Sequence, residues 1–231
     1  MDGKKHMKIA GIIGGLGTEI TSKFYMEVVF ACSKQNGQRP NMLISNVAVP
    51  LTVEKEVING AKNQEDFLPF LTTSARQLEK GGADFIVIPC NTVHIFINEI
   101  RKSVHIPVLS IIEKAAEFLK KKQIKEIGLF ATKTTIDNRL FDDQLESIGI
   151  KIKVPDNLDQ NKIGRIIHNL VNNRSSQEDK KKFIKIIHNL KTNNALLACT
   201  DLRLLNITLQ NIKMIDTMNI LKEATVREII S

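Results

Sequence analysis

Residues 83–94 read ADFIVIPCNTVH, and residues 194–204 read NALLACTDLRL. In each stretch an apolar run ends on a cysteine and small polar residues follow at once: Asn91 and Thr92 after Cys90, Thr200 and Asp201 after Cys199. A short, nearly continuous apolar run is the mark of a parallel strand buried on both faces. A lone cysteine usually reads as a small buried hydrophobe, and Cys32, inside VVFACSK at 28–34, is read that way. Two cysteines sharing one strand-end setting point instead to a repeated α/β unit.

The same alternation extends in both directions. Apolar, β-branched runs predict strands at 8–14, 42–49, 84–89, 108–111, 126–131, 150–154, 195–199 and 214–215. Helix-length segments lie between them at 18–36, 56–80, 92–102, 113–122, 135–147, 159–173, 176–193 and 217–230. Strand–helix alternation over the whole chain predicts an α/β fold with right-handed crossovers. Gly81-Gly82 is expected to stop the helix before it, Thr135 to cap the next helix, and Ser176 to cap another with acids in its first turn. Because each cysteine ends a strand after a long charged helix, two units are expected. Residues 1–111 together with 211–231 form the first, and residues 112–210 the second.

Composition narrows the function classes. Of 231 residues, 42% are hydrophobic and 25% charged, as in an ordinary soluble domain. No apolar run approaches the roughly 18 residues of a membrane span, and Met1–His6 is too polar for a signal peptide. Three cysteines at unrelated spacings do not make a disulfide framework and suggest a reducing, cytoplasmic compartment. The net charge of +8 comes from scattered lysines, and with no Trp and one Tyr there is no stacking platform for nucleic acid. No specific nucleic-acid partner is expected.

In parallel α/β sheets ligands gather beyond the carboxyl ends of strands. Four such ends carry small or polar residues here. GIIGGLGTEIT at 11–21 lacks the register of a dinucleotide loop and the lysine of a phosphate loop. Its Gly15-Leu16-Gly17 turn suits backbone N–H groups offered to a small carboxylate. LFATKTT at 129–135 brings Thr132, Thr134 and Thr135 to a turn, for ligand binding or for capping. At the two cysteines, unpaired N–H groups of the following helix are expected to favour thiolate. His94, one turn past Cys90, is a candidate to support that thiol. The histidines lie in separate segments without metal-ligand spacing, so no metal is expected.

Taken in order, GIIGGLGTEIT, IPCNTVH, ATKTT and ACTDL resemble the aspartate/glutamate racemase superfamily, and within it the aspartate racemases. The resemblance runs to MIDTMNILKEATV at 214–226. It implies two pseudo-symmetric α/β domains, each with a mainly parallel sheet, an active site in the cleft between them, a homodimer, and inversion of an amino acid at Cα without a cofactor. It further implies that Cys90 and Cys199 are the catalytic pair and that Gly15, Leu16, Gly17, Asn91, Thr92, Thr132, Thr135 and Thr200 contact substrate. His94 and Asp201 would stand behind them. Aspartate-specific members commonly carry an arginine just after the proline of the second strand end. Here Leu51 and Thr52 follow Pro50, and Lys55 is the nearest cation for a distal carboxylate. Aspartate or glutamate is the expected substrate. Alternatives are a broad-specificity racemase, another superfamily isomerase or decarboxylase of small acids, and a noncatalytic small-acid-binding protein.

Overall fold

The computed structural model describes residues 7–50, 52–53 and 64–231. Among these residues eight strands form two four-stranded sheets, every pairing parallel. The first holds β1 (Ala10–Gly14), β2 (Met42–Asn46), β3 (Phe85–Val87) and β4 (Val108–Leu109), in the order β2-β1-β3-β4. The second holds β5 (Glu126–Phe130), β6 (Lys151–Lys153), β7 (Asn194–Leu197) and β8 (Lys213–Asp216), in the order β6-β5-β7-β8. The two orders are the same, so Cys90 beyond β3 and Cys199 beyond β7 occupy equivalent places. All eight expected strands are present, and the architecture is α/β in two parts.

The principal helices are α1 (Thr18–Asn36), α2 (Leu68–Lys80), α3 (Ile97–Lys102), α4 (Ile111–Lys121), α5 (Lys133–Asp137), α6 (Asp142–Glu146), α7 (Asn157–Val171), α8 (Gln177–Asn189) and α9 (Thr217–Ile230). Most starts are fixed by side-chain oxygens meeting otherwise unpaired N–H groups. Ser110 caps α4, Asp156 caps α7 and Asp216 caps α9. At α8, Ser176 and Asp179 cap each other's backbone reciprocally, as the sequence suggests. Gly82, at φ +89°, takes the left-handed turn after α2.

Three expectations change. The single helix over 135–147 is two, because Arg139 adopts φ +51° between α5 and α6. The cap of α5 is Thr132, whose hydroxyl accepts from Thr135 N–H, so Thr135 lies inside that helix. The segment 92–102 begins as a 3-10 turn (Thr92–Phe96) before α3. The expected boundary is also divided. Strand β8 pairs with β7 in the second sheet, whereas α9 packs against α1 and α4 of the first part. Lys8 N–H bonds the Ile229 carbonyl at 3.0 Å, and its ammonium pairs with Glu228.

Burial follows the repeat. One face of the first sheet packs Ile13, Ile86 and Ile88 against Leu71, Ala75 and Leu78 of α2. The corresponding face of the second packs Phe130, Ala195 and Leu197 against Ile163, Ile167, Phe183 and Ile187 of α7 and α8. The remaining faces share one core: Ile12 and Phe85 of the first sheet and Leu129, Leu196 and Ile215 of the second join Phe24 of α1, Ala115 and Leu119 of α4, and Leu221 of α9. Cys32 lies in this core, fully buried, and burial pushes its thiol up to about 11. Among the described residues no helix is long and apolar enough to cross a membrane.

Candidate active site

A cleft enclosing roughly 470 Å³, its open mouth included, lies where β3, β5 and β7 end. It is lined by Leu16 and Gly17 from the first loop, Cys90, Asn91 and Thr92 after β3, Thr132 after β5, and Cys199, Thr200 and Asp201 after β7. Nine of the residues singled out by sequence therefore meet in one cavity. Phe67, Val93, Ile167 and Val171 complete the wall. These four were not foreseen. Ile167 and Val171 sit at i, i+4 on α7, a spacing that reads as an ordinary core stripe.

Hydrogen bonds cross between the two parts around the thiols. Thr200 hydroxyl donates to the Pro89 carbonyl at 3.1 Å, tying the residue after one cysteine to the residue before the other. Asn91 Nδ2 donates to Thr217 Oγ1 at 3.0 Å, and Thr217 hydroxyl donates to the Leu197 carbonyl at 2.9 Å. Thr92 and Thr132 hydroxyls meet at 3.0 Å, and Thr132 meets Thr135 at 3.0 Å. Thr135 is fully buried behind the wall and holds Thr132.

Cys199 is buried, and its thiol donates to Asp201 Oδ2 over a long 3.8 Å contact. Burial first, and then the Asp201 carboxylate, push this thiol well above the ordinary cysteine range. The strand-end donors foreseen from sequence exist, since the Asp201 and Leu202 N–H groups pull the other way, but they are outweighed. The donors expected to favour thiolate at Cys199 are therefore opposed by burial and by the Asp201 carboxylate. Cys90 is less buried and lies in the same cleft.

Gly17 precedes α1 at φ +90°, and a Cβ there would stand 3.0 Å from Asp201 Oδ1. Glycine thus leaves room for the Asp201 carboxylate at the start of α1, where the helix dipole favours negative charge. Gly15, at φ +84°, does not line the cleft; a Cβ would press to 2.6 Å on Asn46 Oδ1. Its N–H donates to Thr21 Oγ1 at 2.9 Å, so that amide is not offered to a ligand.

His94 lies behind Cys90. Its Nδ1 lies 2.8 Å from the Cys90 carbonyl, and its Nε2 accepts from Ile111 N–H at 3.1 Å. An acceptor at Nδ1 and a donor at Nε2 fix a neutral ring with its proton on Nδ1. Burial lowers its pKa to about 4. Lys55 lies outside the described residues. Among the described residues no three His, Cys, Asp or Glu side chains gather as a metal-ligand group.

Known proteins share this fold. The family model described as Asp/Glu/Hydantoin racemase matches residues 13–225. The broad-specificity amino-acid racemase RacX of Bacillus subtilis is 28% identical over 147 residues, 62% of this chain and 62% of RacX. The chain thus aligns with under two thirds of that relative, and with 37% of the glutamate racemase of Aquifex pyrophilus, at 28% identity over 40% of this chain. A Yersinia pestis structure, itself only provisionally assigned as an Asp/Glu racemase, superposes with a TM-score of 0.83 at 26% identity, covering 97% of this chain and 100% of that one. Picrophilus torridus aspartate racemase shares the fold with a TM-score of 0.80 at 24% identity, covering 95% and 93%. The chain belongs to the Asp/Glu/hydantoin racemase family.

Proposed function

We propose that the protein is a cofactor-independent amino-acid racemase in which Cys90 and Cys199 exchange protons with opposite faces of the substrate Cα. The observation that carries this reading is that the two thiols end equivalent strands of a repeated unit and line one cleft. Inversion needs a base on one face and an acid on the other, and two opposed thiols supply both. In one direction of the reaction Cys90 is the base and Cys199 the acid. Cys90 thiolate takes the Cα proton, the electron pair delocalises into the substrate carboxylate, and the Cys199 S–H proton is delivered to the other face. Cys90 then carries the proton and Cys199 the negative charge, which is the starting state for the opposite enantiomer. The hydroxyls of Thr92 and Thr132 stand at the strand ends where the developing carboxylate charge needs donors.

Two readings of the side-chain specificity differ by one residue. An acidic substrate, the expectation from sequence, needs a cation for its distal carboxylate, because an unpaired buried charge costs several kcal/mol. Lys55 is the residue we assign to it. A broad-specificity racemase acting on uncharged side chains is favoured by the wall itself: Phe67, Val93, Ile167 and Val171 are apolar, and Asp201 is the one charged residue among the described lining residues.

The deciding experiment incubates single L- and D-amino acids with the protein in D₂O, without added cofactor and after chelation, following chirality and Cα deuteration together. Interconversion with deuterium uptake is expected. Neither signal with any amino acid would refute the reading. Repetition with Lys55→Ala separates the two specificities: selective loss on aspartate and glutamate assigns Lys55, and unchanged turnover of uncharged substrates supports the broad reading.

A further inference from the structure

Asn91 is almost wholly buried and lines the cleft, yet its Oδ1 has no hydrogen-bond partner among the described residues. A buried acceptor left unmade is costly, so its persistence needs a reason. The orientation of the amide is dictated from outside the cleft. The main-chain carbonyl of Leu197 can only accept, so the single hydroxyl hydrogen of Thr217 is spent there. Thr217 Oγ1 then offers only lone pairs, and only the amide N–H of Asn91 can meet them. The amide is thereby held with nitrogen toward Thr217 and oxygen left over. Thr217 is fully buried, is not a lining residue, and sits on the first turn of α9, supported by β7.

We propose that Thr217 is a positioning residue that locks Asn91 so that its side-chain oxygen receives the α-ammonium of the substrate. This rests on the racemase reading above, because an amino acid inverted at Cα brings that N–H donor with it whatever its side chain. The two α-substituents are thereby distinguished: threonine hydroxyls and backbone amides serve the carboxylate, and Asn91 serves the ammonium. Without Thr217 the amide is free to turn, presenting nitrogen to an ammonium that cannot accept.

The test compares L-aspartate, L-methionine and L-lysine with their desamino counterparts succinate, 4-(methylsulfanyl)butanoate and 6-aminohexanoate, by calorimetric titration. In the wild-type protein at least one amino acid is expected to bind about tenfold or more tighter than its counterpart, as suits a hydrogen bond to a charged group. In Thr217→Val that ratio is expected to fall by roughly fivefold or more while the desamino acid keeps its affinity. Thr217→Ser, which retains the hydroxyl, is expected to restore the ratio. A general loosening of the cleft would weaken both ligands alike. An unchanged ratio in Thr217→Val, equal weakening of both ligands, or no preference for the amino acid in the wild type would overturn the proposal. Turnover in D₂O on the same preparations keeps the two ideas separate. Racemisation with an unchanged ratio removes the role of Thr217 alone, and a lost ratio in a protein that never racemises removes the racemase reading alone.

Discussion

Thr200→Val tests whether the cross-bridge between the two halves sets the distance between the thiols. The substitution keeps the volume and β-branching of the side chain and removes only the hydroxyl that donates to Pro89 at 3.1 Å. Both residues are buried, so the carbonyl is largely shielded from solvent. Leaving a buried carbonyl without that donor costs about 1–3 kcal/mol. In a chain of this size that corresponds to a fall in Tm of roughly 2–4 °C per kcal/mol, hence about 2–12 °C in total. Racemisation should suffer more than stability, because Cys90 follows Pro89 directly and reacting groups displaced by a fraction of an ångström lose about 10- to 100-fold in rate. Differential scanning calorimetry and a chirality assay on the same preparation read the two effects, with Thr200→Ser as the variant that keeps the bond. A Thr200→Val protein that melts within about 1 °C of wild type and racemises at the wild-type rate would show that the bridge positions nothing.

Cys90→Ala and Cys199→Ala are each expected to abolish racemisation with the fold retained, whereas Cys32→Ala remains active and loses about 1–3 kcal/mol of stability from the core; circular dichroism and the chirality assay check both. Asp201→Asn removes the carboxylate that, after burial, holds the Cys199 thiol up. Alkylation of Cys199, followed by mass spectrometry, is therefore expected to begin at lower pH in this variant, and an unshifted or upward-shifted midpoint would contradict the assignment. His94 has a folded pKa near 4 against an ordinary 6.5, so the unfolded chain binds the extra proton between those values. Its contribution to stability is intact above about pH 6.5 and declines as pH falls toward 4, by roughly 3 kcal/mol in all. Denaturant titrations of wild type and His94→Gln over that range are expected to differ in slope, with the variant flatter.

The strands were legible because a strand covered on both faces must be apolar throughout, as Phe85–Val87 and Ala195–Leu197 are. The division of 135–147 was not, since nothing in the apolar pattern marks Arg139 for a left-handed turn. The cysteines announced themselves by their shared position at strand ends. The ionisation of Cys199 did not, because local N–H groups can be inferred from a strand–helix junction while depth of burial is a property of the assembled molecule. Ile167 and Val171 were hidden for a related reason: a residue facing a cleft and one facing the core obey the same helical period. The sheet that claims residues 213–216 was equally illegible, since four residues cannot state which neighbour they will pair with.

The core shared by Ile12, Phe85, Leu129, Leu196 and Leu221 has a consequence for how the molecule comes apart. Severed at the turn around Gln123, the chain would give two pieces, each with a complete sheet but one bare oily side, and the first piece would also lack α9. Neither is expected to persist alone, while mixing them should restore the native assembly by fragment complementation. The two halves are thus expected to melt as a single calorimetric event, because each is the other's missing wall.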